Sequence, residues 1–208
     1  MTKGLGLLLF PVLVIVLMLG GTASAQNVGD NSAYFVTYFS NANTTGAADE
    51  VLRIVNDGDA STSEIEGVPN GTLWASLYVL DDGQILQECC NCEVTADGLL
   101  SESVDKQLTS NTLTGRLETS RGIVKVISSA TNDPTNNTLA PGLRGTMTHI
   151  QATSNIPETG PFFVTEAPLA DSNLSSAEKT ALEQSCAFTF TLGRGYGTCS
   201  CTPEDQDF

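Results

Sequence analysis

The chain has 208 residues, 40% of them hydrophobic and only 16% charged, with 24 acidic against 9 basic side chains and a net charge of −15. So negative a balance repels phosphate backbones and anionic lipid head groups, which excludes nucleic acid and membrane surfaces as natural partners. The scarcity of charge, beside abundant Thr, Ser, Asn and Gly, excludes a fold of long charge-rich helices and points to a mainly β extracellular protein.

The first segment sets the compartment. Lys3 precedes an apolar run from Leu5 to Leu19, broken only by Gly6 and Pro11, and Ala23-Ser24-Ala25 closes it. That is the pattern of a secretory signal peptide cleaved after Ala25. A retained anchor is the alternative, but a run of about 15 residues is short of the roughly 20 needed to span a bilayer. Residues 26–208 are then expected to form a single extracellular domain with 8 basic and 24 acidic side chains, a net charge of −16. Its acids are scattered, apart from the terminal Glu204-Asp205-Gln206-Asp207.

Strand signals follow in order. Tyr34–Phe39 is aromatic and β-branched, and Val51–Val55 is a short apolar run before Asn56-Asp57-Gly58. The clearest hairpin comes next. Leu73, Ala75, Leu77 and Val79 share one face, Trp74 and Tyr78 the other. Asp81-Asp82-Gly83 turns the chain, with Gly83 expected to supply the positive φ, and Ile85-Leu86 begins the return. Thr112–Glu118, Gly122–Ile127, Leu143–Ala152 and Phe162–Thr165 are further candidates. About eight short strands predict an antiparallel β-sandwich. One short helix is expected near the C-terminus. Ser175 and Glu178 make a capping box, Ala177, Ala181, Leu182 and Ser185 or Cys186 a modest apolar face, and the helix should stop between Phe188 and Gly193.

The six cysteines fall in two patches, Cys89, Cys90 and Cys92, then Cys186, Cys199 and Cys201. An even number in an exported chain reads as a disulfide framework, here with fifteen possible pairings. Neighbours such as Cys89 and Cys90 lie about 3.8 Å apart at Cα, below the usual range of about 4.4–6.8 Å. A Cys-x-Cys bridge closes a strained ring. Three bridges between the patches are the easier solution and would staple mid-chain to C-terminus. A thiolate metal or cluster site is the rival reading, weakened by export and by spacing other than Cys-x-x-Cys.

Catalytic motifs are missing. His149 is the only histidine and sits in an alternating strand pattern, so no base is evident for a nucleophile. Gly193–Gly197 neither follows a strand nor opens a helix, which removes a phosphate loop. With 24 acids a carboxylate pair at hydrolase spacing is unavoidable and uninformative. Asp57 and Asp59 begin a run of alternating oxygen side chains, a minor calcium candidate, though an EF-hand loop would need Gly at Thr62 and Glu at Val68. No other cofactor is indicated. Asn43, Asn70, Asn136 and Asn173 head N-glycosylation acceptor sequences.

The segments Leu52–Asn56, Leu77–Val79, Gln87–Thr95 (which holds Glu-Cys-Cys-Asn-Cys), Leu108–Thr114 and the final Gly-rich stretch ending Cys199-Ser200-Cys201 resemble a group of exported bacterial proteins of uncharacterised function. The resemblance implies export and a shared fold and brings no activity. The expectation is therefore a secreted, non-enzymatic structural or cell-surface protein. It would be a filament or coat subunit self-associating by strand addition, with the start of the mature chain and the following Tyr34–Phe39 as a candidate donor strand. The alternatives are a secreted binding module for carbohydrate, peptide or calcium, and, less favoured, a carboxylate-based hydrolase.

Overall fold

The computed structural model describes residues 32–60, 68–113, 119–152 and 161–201. The leader, most of the strand expected at Thr112–Glu118 and the acidic end at Glu204–Asp207 lie outside them. Within them are nine strands: β1 (Tyr34–Ser40), β2 (Val51–Asn56), β3 (Leu73–Asp81), β4 (Leu86–Val94), β5 (Leu99–Ser103), β6 (Arg121–Ser129), β7 (Leu143–Ala152), β8 (Phe162–Pro168) and β9 (Ala170–Asp171). A five-residue π-helical turn (Val104–Leu108) follows β5, and one α-helix, α1 (Ser176–Thr191), follows β9.

The strands form two antiparallel sheets, ordered β4-β3-β6-β1-β9 and β5-β2-β7-β8. Side chains of alternate parity from both fill the space between them. Leu73, Leu77 and Val79 on β3, Val124 and Val126 on β6, and Leu52 and Ile54 on β2 belong to this core. Gly122 is required by contact: a Cβ there would collide with the Leu80 carbonyl and the Phe39 ring.

The first sheet is covered on both faces, so every residue of β3 but the last is buried. Tyr78, Leu80 and Ile127 project outward into a second cluster with Leu182 and Cys186 of α1. The helix offers few apolar anchors, burying only Leu182, Cys186 and Thr189. Polar ties supplement them. Ser175 Oγ accepts the Glu178 N–H at 3.1 Å, as a capping box requires. Glu178 Oε1, however, reaches out to the sheet, accepting from Tyr34 OH at 2.6 Å and Lys125 Nζ at 2.7 Å. Glu183 accepts the Asn137 N–H and the Lys179 ammonium, both at 2.6 Å.

The expected strands that lie within the described residues are present, with two corrections to detail. In the β3–β4 turn the positive φ belongs to Gln84 (63°), not Gly83. The Gln84 N–H closes a turn on the Asp81 carbonyl and Asp81 Oδ1 accepts from Ile85, so a left-handed residue follows the turn and the ladder shifts register at Val79/Leu80. Thr112 and Leu113, at the head of the expected Thr112–Glu118 strand, are not in a strand.

Candidate functional site

Two features stand out from the packing: a ladder of cysteines along β4, and three buried glutamates. The ladder follows from strand parity. Successive side chains of β4 point to opposite faces. Cys90 and Cys92 therefore face the inter-sheet core, opposite Leu77 and Ala75, while Cys89 faces α1. The bridges are Cys89–Cys186, Cys90–Cys199 and Cys92–Cys201, with Cα separations of 5.9, 5.2 and 5.2 Å. The two patches meet, and no described cysteine is free.

The bridges carry the C-terminal segment around the free edge of β4. After α1 the chain turns through Gly193, Gly195 and Gly197, all at positive φ. It then runs parallel to β4: Cys89 N–H donates to the Gly197 carbonyl at 2.9 Å and Cys199 N–H to the Cys89 carbonyl at 3.3 Å. Asn111 holds the segment from the other side, its carbonyl accepting the Gly197 N–H at 2.6 Å and its amide donating to the Gly195 and Thr198 carbonyls. Helix anchoring on one face and tail anchoring on the other thus use adjacent residues of one strand.

The glutamates are unusual because buried carboxylates normally have partners. Glu102 on β5 has none among the described residues for either oxygen, and burial pushes its pKa up to about 8. Glu88 on β4 accepts the Asn111 N–H at 2.7 Å with Oε1, leaves Oε2 unpartnered, and is pushed by burial to about 7. Glu50 accepts from Ile150 N–H at 2.6 Å and Ser40 N–H at 2.9 Å, tying β7 to the end of β1. Burial, opposed by those two N–H groups, raises it to about 7. None of the three is shifted by another of the three, as two carboxyls sharing one site would be.

These carboxyls escaped the sequence reading. Glu88 carried a signal, since it shares parity with Cys90 and Cys92. Glu102 carried less, because the Leu-Leu-Ser-Glu-Ser of β5 has two apolar residues and does not read as a strand.

The other candidate residues are dispersed. His149 is buried on β7 and stacks on Tyr38 with ring centroids 4.1 Å apart; burial lowers its pKa. Asp57 Oδ2 pairs with Arg144 at 3.3 Å and its Oδ1 accepts the Asp59 N–H at 3.2 Å, an Asx turn. Among the described residues the one group of metal-capable side chains within ligand reach is Cys90, Cys92 and Cys201, and Asp57 and Asp59 do not form another. Asn43, Asn70, Asn136 and Asn173 are all exposed, and the Asn43 amide donates to Thr109 Oγ1 at 3.0 Å. Trp74 is buried. A cleft of about 260 Å³ opens beside Phe35, Leu143 and Leu169, and a shallower groove of about 580 Å³ beside Tyr34 and Leu139.

Comparison with family models, with curated proteins and with solved structures yields no match. The structure alone carries the functional reading. Three disulfides fit an oxidising compartment. No helix among the described residues is long and apolar enough to cross a membrane.

Proposed function

We propose that the chain is an exported, non-enzymatic building block that assembles with copies of itself by strand addition at β8. One observation carries the reading. Both edges of the first sheet are dressed, by the bridged tail on β4 and by β9 on β1. β8 pairs with β7 alone among the described strands and is exposed on both faces. Phe163 is 64% and Val164 59% exposed.

Soluble proteins usually blunt such an edge with lysine, proline or a bulge. Here Phe162–Ala167 holds one charge, Glu166, and that is paired with Arg53 at 3.3 Å. Proline stands only at the ends, as Pro161 and Pro168. The backbone donors and acceptors of a seven-residue ribbon are thus presented beside two large apolar side chains. A second copy of β8 offers a matching ribbon whose one charge is likewise paired within its own chain. The donor assignment shifts accordingly: Tyr34–Phe39 is already paired along its length with β6, so β8 replaces it as the assembling strand.

The absence of a catalytic role fits the same geometry. His149 is walled off by Tyr38, and the buried glutamates do not pair. The test is native mass spectrometry and electron microscopy of the secreted protein across concentration. Oligomers that vanish in a Phe163→Lys/Val164→Lys variant of unchanged melting temperature are expected. Monomer at every concentration would end the proposal.

A further inference from the structure

Parity divides the cysteines into two sets separated by the first sheet. Cys89 and Cys186 lie on the helix side. Cys90, Cys92, Cys199 and Cys201 lie on the core side, two bridges abreast. Across those bridges Cys90 Sγ and Cys92 Sγ are 3.8 Å apart, and the sulfurs of Cys90, Cys92 and Cys201 all fall within 4.8 Å of one another. Tetrahedral zinc with Zn–S bonds of about 2.3 Å holds its sulfurs about 3.8 Å apart. The spacing set by β4 is therefore already that of two ligands on one ion. Cys201 need only open from bonded to ligand distance, whereas the Cys199 sulfur, bonded to Cys90 but outside that group, must also swing inward as its bridge opens.

We propose that Cys90, Cys92, Cys199 and Cys201, in the thiol state in which the chain is synthesised, form a four-sulfur site for a thiophilic divalent cation of the zinc class. Three of the four sulfurs are already gathered, and the backbone brings the fourth close. Cys90 and Cys92 sit on a strand paired along its whole length with β3, in a buried apolar setting. Cys199 and Cys201 arrive on a segment that backbone hydrogen bonds already dock against β4 and Asn111. Binding replaces four S–H bonds with four metal–sulfur bonds and releases four protons. On oxidation the four thiolates give up four electrons and become two disulfides. Two molecules of a disulfide-class oxidant accept those electrons, take up four protons and become four thiols, and the cation leaves.

The ordering has a consequence for pairing. While the cation occupies the four core-side sulfurs, Cys89 and Cys186 are the only free thiols and must pair with each other. The choice falls from fifteen pairings to the three available to the remaining four cysteines. The native Cys90–Cys199 and Cys92–Cys201 follow from strand order.

The test uses the full mature chain reduced with a phosphine. Cadmium titration should raise the ultraviolet cadmium–thiolate band to a plateau at one ion per chain. Zinc should raise the melting temperature read by near-ultraviolet circular dichroism. Cys89→Ser with Cys186→Ser should keep the plateau. Cys92→Ser and Cys199→Ser should each weaken binding by roughly tenfold or more. No band, a melting temperature unmoved by zinc, or equal loss in the Cys89/Cys186 variant would overturn the assignment. Should the reduced chain unfold without metal, recovery of the near-ultraviolet signal on adding zinc supports the site, and failure to recover it counts against it.

Discussion

β4 and β8 are both end strands of their sheets, and they are treated in opposite ways. β4 is covered by the C-terminal segment, fixed by three disulfides, and buried at seven of its nine positions. β8 is covered by nothing described and is buried at none. Covalent closure is concentrated where an open edge would expose the core. The strand left open lies beyond the core, so its exposure costs the fold little. The contrast separates stability, which should reside in the β4 ladder, from association, which should reside in β8.

The sharpest way to break this comparison is to remove the ladder. The bridges span sequence separations of 97, 109 and 109 residues. An isolated bridge of that span contributes about 4–5 kcal/mol in the chain-entropy model, and nested bridges contribute less than the sum. Reduced and alkylated protein should lose roughly 5 kcal/mol or more in urea denaturation at pH 5. A loss under about 1 kcal/mol would show that sulfur does not hold the tail.

Next in size is pH. The fold favours the protonated forms of Glu50, Glu88 and Glu102, whose pKa values lie above the ordinary 4.5. Their contribution is complete below about pH 4.5 and is lost as pH rises through 7 to 8. Glu178 acts oppositely. Lys125 and Tyr34 hold its carboxyl below the ordinary range, so its contribution fades as pH falls. Stability should therefore peak at mildly acidic pH. Glu102→Gln should gain about 3 kcal/mol over the native chain at pH 8.5 and change little at pH 5, measured by urea denaturation. Equal effects at both pH values would contradict the buried-acid account.

Splitting the ladder gives a smaller effect. Cys89→Ser with Cys186→Ser should cost about 2 kcal/mol and loosen α1, seen as lost far-ultraviolet helicity, while Cys90–Cys199 and Cys92–Cys201 stay intact. The helix has only Leu182 and Thr189 as other buried residues, so the bridge matters more than its sequence suggests.

The smallest expected change in stability is at β8. Val164→Lys should alter it by less than about 0.5 kcal/mol yet abolish association. Because the chain is strongly acidic, association of the native protein should strengthen with salt as mutual repulsion is screened.

Much of the fold was legible in the sequence because its signals are local. Alternation in Leu73–Val79, the Asp81–Gly83 turn and the Ser175 cap each follow from neighbouring residues. The meeting of the two cysteine patches followed from covalent geometry. What was hidden depends on tertiary context. The burial of Tyr34 beneath α1, the sealing of β4 by its own tail and the openness of β8 have no local signature. Glu102 was hidden for the same reason: nothing adjacent to it indicates that its strand would turn a carboxyl inward.

The account rests on β8 being an open edge and β4 a closed one. Amide hydrogen exchange resolved to single residues, on dilute and concentrated protein, tests it most directly. At dilution the Cys89 and Cys199 amides should exchange slowly and the outward amides of β8 fast. On concentration the β8 amides should slow by roughly two orders of magnitude while the tail stays unchanged. Fast exchange in the tail, or β8 amides equally fast at every concentration, would contradict it.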